Sequence, residues 1–284
     1  MPDAFFVPDG DDRFLSTDWT IGPWSRESQH AGPPAGLLGR AMELVADRAD
    51  MHMARATFEI LRPIPVAPLT VRAEVVRPGR SVVLTAATLS DDNGPAMLAR
   101  GWSIRTADLE LQQVVHGALP PARPETGSDV EGFTYDDMDY LTAMEWRFVR
   151  GSFLDPGPAT AWARMRVSLV DGEEVRPLSR VLVLADSGNG ISAAVDFSRW
   201  VFINPDLSVY LHRLPEGEWV CLDAETTIQP TGIGLATSVL SDESGVIGRG
   251  MQSLFIGPRS YGPCFGRLRN RRIGWHPEAE GPTT

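Results

Sequence analysis

Residues 62–94 read RPIPVAPLTVRAEVVRPGRSVVLTAATLSDDNG, and residues 213–245 read RLPEGEWVCLDAETTIQPTGIGLATSVLSDESG. A shift of 151 residues lays one stretch on the other without a gap. Arg62 then meets Arg213, Ala73 and Glu74 meet Ala224 and Glu225, and Leu84 meets Leu235. Leu89, Ser90 and Asp91 meet Leu240, Ser241 and Asp242, and Gly94 meets Gly245. That makes eight identities in 33 positions, and Asp92 against Glu243 adds a like charge. Ala and Leu coincide between any two strand-rich segments. Turn residues in the same register do not, and self-similarity at a fixed spacing reads as a duplication. Upstream, Ala35-Gly36-Leu37-Leu38 matches Asn189-Gly190-Ile191-Ser192 in place and character, so the repeat covers most of the chain.

Each repeat reads as one helix followed by an antiparallel meander. His30-Ala31-Gly32-Pro33-Pro34 opens the first helix, because proline in a first turn loses no helical bond. Leu37, Leu38, Ala41, Met42 and Val45 follow at helical spacing and need a surface to bury against. Leu69, Val71, Ala73 and Val75 then alternate with Thr70, Arg72 and Glu74, the period of a strand with one buried face. Val82, Leu84 and Ala86 continue the pattern, Asp91-Asp92-Asn93-Gly94 is a hairpin turn, and a strand over 96–104 follows. In the second repeat a short helix is expected after residues 186–190, with strands over 207–212, 219–227, 233–240 and 246–256. The expected fold is α+β, with two antiparallel sheets each wrapped around a central helix. Residues 119–127 read as a linker and the stretch after Arg259 as a peripheral tail. The expected division is therefore 1–106, a linker over 107–139, a second domain over 140–260, and a tail over 261–284.

Composition is that of a globular protein, with 43% hydrophobic and 22% charged residues. The net charge of -11 repels nucleic acid and anionic membranes over most of the surface. Cys221 and Cys264 form no Cys-x-x-Cys pair, and Cys221 sits in an apolar run as a buried thiol. The start of the chain carries no basic-then-apolar leader pattern, and no apolar run is long enough to span a membrane. A reducing cytoplasm is the expected location. There is no Gly-x-Ser-x-Gly elbow, no phosphate-binding Gly-Lys-Ser/Thr loop and no dinucleotide fingerprint. The five histidines lack metal-ligand spacing, so neither metal nor organic cofactor is expected.

A duplicated helix-plus-sheet unit of this kind resembles the double-hotdog acyl-CoA thioesterases of the type II family. The resemblance spans roughly residues 15–257 and rests on several motifs. They are His30-Ala31-Gly32, Phe58-Glu59-Ile60-Leu61-Arg62-Pro63, the segment from Asp206 to Arg213, Glu225-Thr226-Thr227, and Met251-Gln252. It implies catalytic Asp, Thr and Gln from the second repeat, assigned to Asp206, Thr227 and Gln252. The family's Gly-Gly at the first helix is Ala31-Gly32 here, and Leu207, Tyr210 and Leu211 replace the residues that often follow the Asp. These departures bear on substrate range more than on fold.

The implied chemistry is hydrolysis of an acyl-CoA thioester by an activated water. Asp206 would accept the water's proton, with Thr227 and Gln252 holding the water by hydrogen bonds. A backbone N–H at Gly32 would bind the oxyanion, where a helix start favours negative charge and glycine permits close approach. His30 and Ala31 flank that amide. Asp186 and Asn189 form a second polar cluster, read either as helix caps or as a lining of the acyl pocket or of a second, pseudo-symmetric site. Asp206 equally suits a turn, in Asn204-Pro205-Asp206, and Thr227 and Gln252 taken singly suit a strand. His30 reads more readily as a cap than as a base, and His212 as a neighbour of the site.

Two other functions compete. A non-catalytic acyl-CoA or lipid-binding module would keep the pocket without the chemistry. A hotdog hydratase or dehydratase would need an Asp–His pair across the pocket, and Leu207 beside Asp206 supplies no such His. Self-association into a homo-oligomer is expected, since sheet edges seek partners.

Overall fold

The computed structural model describes residues 3–114, 116, 119–123, 125 and 139–259. Cys264, the tail over 261–284 and much of the linker lie outside the described residues. The first repeat contains β1 (Ala4–Pro8), β2 (Arg13–Ser16), α1 (Gly32–Ala46), β3 (Met51–Ile60), β4 (Pro68–Arg77), β5 (Val82–Asp91) and β6 (Gly94–Arg105). The second opens with β7 (Met144–Arg150), β8 (Ala159–Met165), β9 (Ser168–Val170), α2 (Pro177–Ala185) and α3 (Gly188–Ile191). It continues with β10 (Trp200–Ile203), β11 (Asp206–Leu211), β12 (Val220–Ile228), β13 (Ile233–Asp242) and β14 (Gly245–Pro258).

The expected two sheets are one. Among the described residues, the strands run β7-β8-β12-β13-β14-β11-β3-β6-β5-β4-β2-β1-β9, with β10 on β14. The halves join through β3 and β11, which pair antiparallel. Each strand would be an open edge alone, and each covers the other. The seam is two-fold under the 151-residue shift. Asp206 pairs with Glu59 and Tyr210 with Arg55, where 59 + 151 = 210 and 55 + 151 = 206. Ser208 and Thr57 sit on the axis and pair with each other (57 + 151 = 208).

The identities that revealed the repeat are one structural device, used twice. Arg62 binds the Asp91 carboxylate and the Gly94 carbonyl. Arg213 binds Asp242 and the Gly245 carbonyl in the same way. Each guanidinium clamps the hairpin that turns one long strand into the next, and bidentate geometry suits that task. Both hairpins turn on a glycine at positive φ, Gly94 and Gly245. Both carry a register shift at the equivalent step, Leu89/Ser90 and Leu240/Ser241.

The helices lie on the inner face. α1 packs on β4, β5 and β6 and, most extensively, on α2. Leu37, Leu38 and Met42 of the predicted stripe are fully buried. Close approach of the helices depends on three glycines one turn apart. A Cβ on Gly32 would stand 2.1 Å from the Val183 carbonyl oxygen, and one on Gly39 would stand 2.3 Å from Leu182 Cδ1. Gly36 meets Val183 likewise.

The second helix begins earlier than expected. α2 starts at Pro177, again a proline in the first turn, and ends before the residues expected to open it. α2 and α3 together span residues 177–191, the same length as α1 (32 + 145 = 177, 46 + 145 = 191). The difference is a break at Asp186 and Ser187.

Candidate active site

The break in the second helix creates the site. In an uninterrupted helix the Asn189 N–H would bond back to residue 185. Here it donates instead to Gln252 Oε1 at 3.0 Å. Gln252 Nε2 in turn donates to the backbone oxygen of Asp186 at 3.0 Å and to its carboxylate Oδ1 at 3.2 Å. The side-chain amide of Gln252 thus stands in for backbone at the interruption. It is 1% exposed and reaches the helix from the centre of β14. Gly188 makes room, since a Cβ there would stand 3.1 Å from Gln252 Oε1 and 2.5 Å from Ser238 Oγ.

Asp186 is buried and held on several sides. Asn204 Nδ2 donates to Oδ1 at 2.8 Å. Oδ2 faces Nδ1 of His30, 3.3 Å away across the junction of the two repeats. The His30 ring stacks on Tyr140 with centroids 3.7 Å apart and planes within 6°. Burial pushes the His30 pKa down, and the Asp186 charge opposes that only in part. Burial pushes the Tyr140 phenol up, so it stays protonated and donates to the Val183 carbonyl or to Ser187.

A hydroxyl pair lies at the end of α3, where Ser192 is the C-cap residue. Ser192 Oγ donates to the Gly188 carbonyl at 2.8 Å. Its single proton is then spent, so Thr226 must be the donor in the 2.8 Å contact between Thr226 Oγ1 and Ser192 Oγ. Thr226 keeps its acceptor lone pairs. Gln252 of β14 and Thr226 of β12 converge on the segment 186–192, which itself carries Asp186.

The structure separates the three residues first assigned to catalysis. Gln252 faces the helices, as above. Asp206 does not, because Leu207, Val209 and Leu211 take the inner face of β11 and leave Asp206 on the outer one. Its carboxylate accepts from the Ser253 N–H at 2.9 Å. Thr227 is exposed on the outer face of β12, whereas Thr226 shares the inner face with Leu222 and Ala224. His212 is exposed just beyond β11.

At the first helix, the Gly32 N–H donates to His30 Nδ1 at 3.1 Å. Pro33 and Pro34 have no N–H, and the Ala35 N–H bonds to the Ala31 carbonyl. The Gly32 amide is therefore engaged whenever His30 Nδ1 is unprotonated. Neither Asp186 nor Asn189 N-caps a helix, since Asp186 is the C-cap residue of α2, Ser187 is the N-cap residue of α3, and Asn189 acts through its backbone N–H. Two open surface concavities lie elsewhere, around Arg150, Asp223 and Arg249 and around Arg72 and Thr88. Among the described residues, no group of His, Cys, Asp and Glu has the arrangement of a metal site. Nor is any helix there long and apolar enough to cross a membrane.

Residues 20–104 match the model of the acyl-CoA thioesterase N-terminal domain, and residues 116–256 match that of the C-terminal domain. No curated protein matches the chain. Among solved structures, the tesB protein of Mycobacterium avium subsp. paratuberculosis is 17% identical, with a TM-score of 0.63 over 89% of this chain and 96% of that one. Acyl-CoA thioesterase II TesB2 of Mycobacterium marinum is 14% identical, with a TM-score of 0.64 over 91% and 97%. A hot dog fold protein of Alicyclobacillus acidocaldarius is 17% identical, with a TM-score of 0.66 over 90% and 96%. These likenesses carry the two-domain hotdog fold. The two domain models account for 85 and 141 residues, which is 226 of 284, and on them the chain belongs to the acyl-CoA thioesterase family of thioester hydrolases.

Proposed function

We propose that the chain hydrolyses acyl-CoA thioesters with a water activated by Asp186, and that Thr226 and Gln252 complete the site. Asp186 takes the place first given to Asp206, and Thr226 that of Thr227. The single observation that carries this reading is the Asp186–Gln252 pair inside the fold, beside the only break in the helical layer of the described residues. Gln252 fixes the carboxylate, and Asn204 shares the same oxygen. Thr226 Oγ1, which has no proton left to give, accepts from the water. The water oxygen attacks the thioester carbonyl while Asp186 accepts its proton. Collapse of the tetrahedral intermediate breaks the carbon–sulfur bond, and Asp186 returns the proton to the departing thiolate. The products are a free acid and coenzyme A.

The Asp–His pair that a hydratase requires exists here as Asp186 and His30. The His30 ring, however, is stacked on Tyr140 and its Nδ1 is shared between Asp186 and the Gly32 amide. That leaves it poorly disposed to protonate a substrate carbon, so hydrolysis is the better reading.

The test is thiol release from a panel of acyl-CoAs, short to long, by the parent, Asp186→Asn and Asp206→Asn. Release by the parent and by Asp206→Asn, with loss in Asp186→Asn, is expected. Full activity in Asp186→Asn would overturn the assignment. Conversion of an enoyl-CoA without thiol release would transfer the reading to hydration.

A further inference from the structure

His30 Nδ1 has two neighbours that make opposite demands. The Gly32 N–H, 3.1 Å away, needs an acceptor there. The Asp186 carboxylate oxygen, 3.3 Å away, needs a donor there. One nitrogen of a neutral imidazole is either protonated or not. If Nδ1 is bare, it accepts from Gly32, and two lone pairs face each other across the gap to Asp186 unless the carboxyl carries a proton. If Nδ1 is protonated, it donates to the Asp186 carboxylate and the Gly32 amide is released. The ring cannot turn away from this choice. Its backbone N–H is tied to the Thr20 carbonyl, and its face lies on Tyr140, itself held by the Val183 carbonyl and Ser187.

We propose that His30 is a positioning residue that couples the ionisation of Asp186 to the availability of the Gly32 amide. This rests on Asp186 being the base. When Asp186 is ionised, the Nδ1 proton steadies it and the Gly32 N–H is free to receive the substrate's carbonyl oxygen. Base and oxyanion donor thus become ready together. When Asp186 is protonated, its O–H bonds to the bare Nδ1 of the other tautomer, the Gly32 N–H bonds there too, and the donor is withdrawn. The first domain supplies His30 and Gly32 and the second supplies Asp186, so the device exists only where the repeats meet. The titratable groups facing the pair are His30, Asp186 and Tyr140, and burial keeps Tyr140 protonated and His30 neutral.

Two measurements on the full chain test this. Nitrogen NMR of the protein labelled at histidine should show His30 as the Nδ1–H tautomer in the ligand-free parent near neutral pH. An Nε2–H tautomer under those conditions would overturn the proposal, whatever the activity. The second is the pH profile of His30→Phe, which keeps the stack on Tyr140 and removes Nδ1. Its kcat should fall about tenfold with KM little changed, and the acidic limb should move up by about one pH unit, the worth of one hydrogen bond to a carboxylate. His30→Asn, whose amide nitrogen occupies the place of Nδ1, should recover part of the loss. A merely structural histidine would leave the limb where it was, and an unchanged profile in His30→Phe would refute the coupling. A parent that releases no thiol would sink the hydrolytic reading instead, while the tautomer result would stand by itself.

Discussion

Gln252→Glu changes one atom type at the centre of the site and predicts a pH-dependent kinetic effect. One carboxylate oxygen of the new side chain keeps the bond from the Asn189 N–H. The other replaces Nε2 and faces Asp186 Oδ1 at about the present 3.2 Å. Two unit charges at that distance repel by about 5 kcal/mol at an effective dielectric of about 20. That corresponds to roughly 3–4 pH units for release of the second proton. The pair therefore retains one proton at neutral pH, and the two groups titrate as a dyad. The assay is kcat for thiol release between pH 5 and pH 10. Near neutrality kcat should fall by up to about tenfold, and it should climb with rising pH as the second proton leaves. Folding should survive, because the shared proton keeps a hydrogen bond between the two side chains. A profile that matches the parent's would refute the placement of Gln252 against Asp186, or the role of Asp186 as base.

Three further outcomes follow from the same geometry. Thr226→Val should cut kcat by about tenfold, since it removes the acceptor that fixes the water, whereas Thr227→Val on the outer face should leave it within a factor of about two; equal effects in steady-state kinetics would contradict the register of β12. Arg213→Met should lower stability by about 3 kcal/mol in urea unfolding, because Asp242 is 0% exposed and would lose its guanidinium. The burial that lowers the His30 pKa also makes stability depend on pH: below the ordinary value of 6.5 the unfolded chain binds a proton that the folded chain refuses, so the contribution is complete above that pH and declines as pH falls through it. Calorimetry should show a fall in melting temperature over that window that is smaller in His30→Phe.

The duplication was legible because its identities sit where the fold needs special chemistry. Arg62, Asp91 and Gly94 recur as Arg213, Asp242 and Gly245 because a hairpin clamp admits few substitutes. The orientation of the catalytic candidates was also legible, through period two. Leu222 and Ala224 point inward, so Thr226 does and Thr227 does not. Leu207 and Val209 point inward, so Asp206 points out. Leu254 and Ile256 share their face with Gln252, which agrees with its observed place. What the sequence hid was the break at Asp186. Residues 177–185 continue a helical pattern, and nothing local signals that Gln252, 66 positions further on, will complete an interrupted turn. The pairing of His30 with Asp186 was hidden for the same reason, since it depends on how the helices cross.

The two halves share a fold but not a site, and the 151-residue shift shows why. Gln252 maps to Gly101 (252 - 151 = 101) and Thr226 to Val75 (226 - 151 = 75). At Gly101 a Cβ would stand 2.7 Å from Met53 Cε, so an apolar side chain fills the place of the buried amide. α1 runs unbroken through 15 residues and frees no carbonyl for such an amide to bind. The first domain instead presents Gly32 and His30 to the carboxylate of the second. On the proposed mechanism, duplication has let one half keep the base and the other keep the partner of the base. One reacting centre per chain is therefore expected. Titration calorimetry with a non-hydrolysable thioether analogue of the preferred acyl-CoA should saturate at one ligand per chain, and Asp186→Leu should abolish the tight phase. Two equivalent sites per chain would mean that the Gly101 side binds substrate after all.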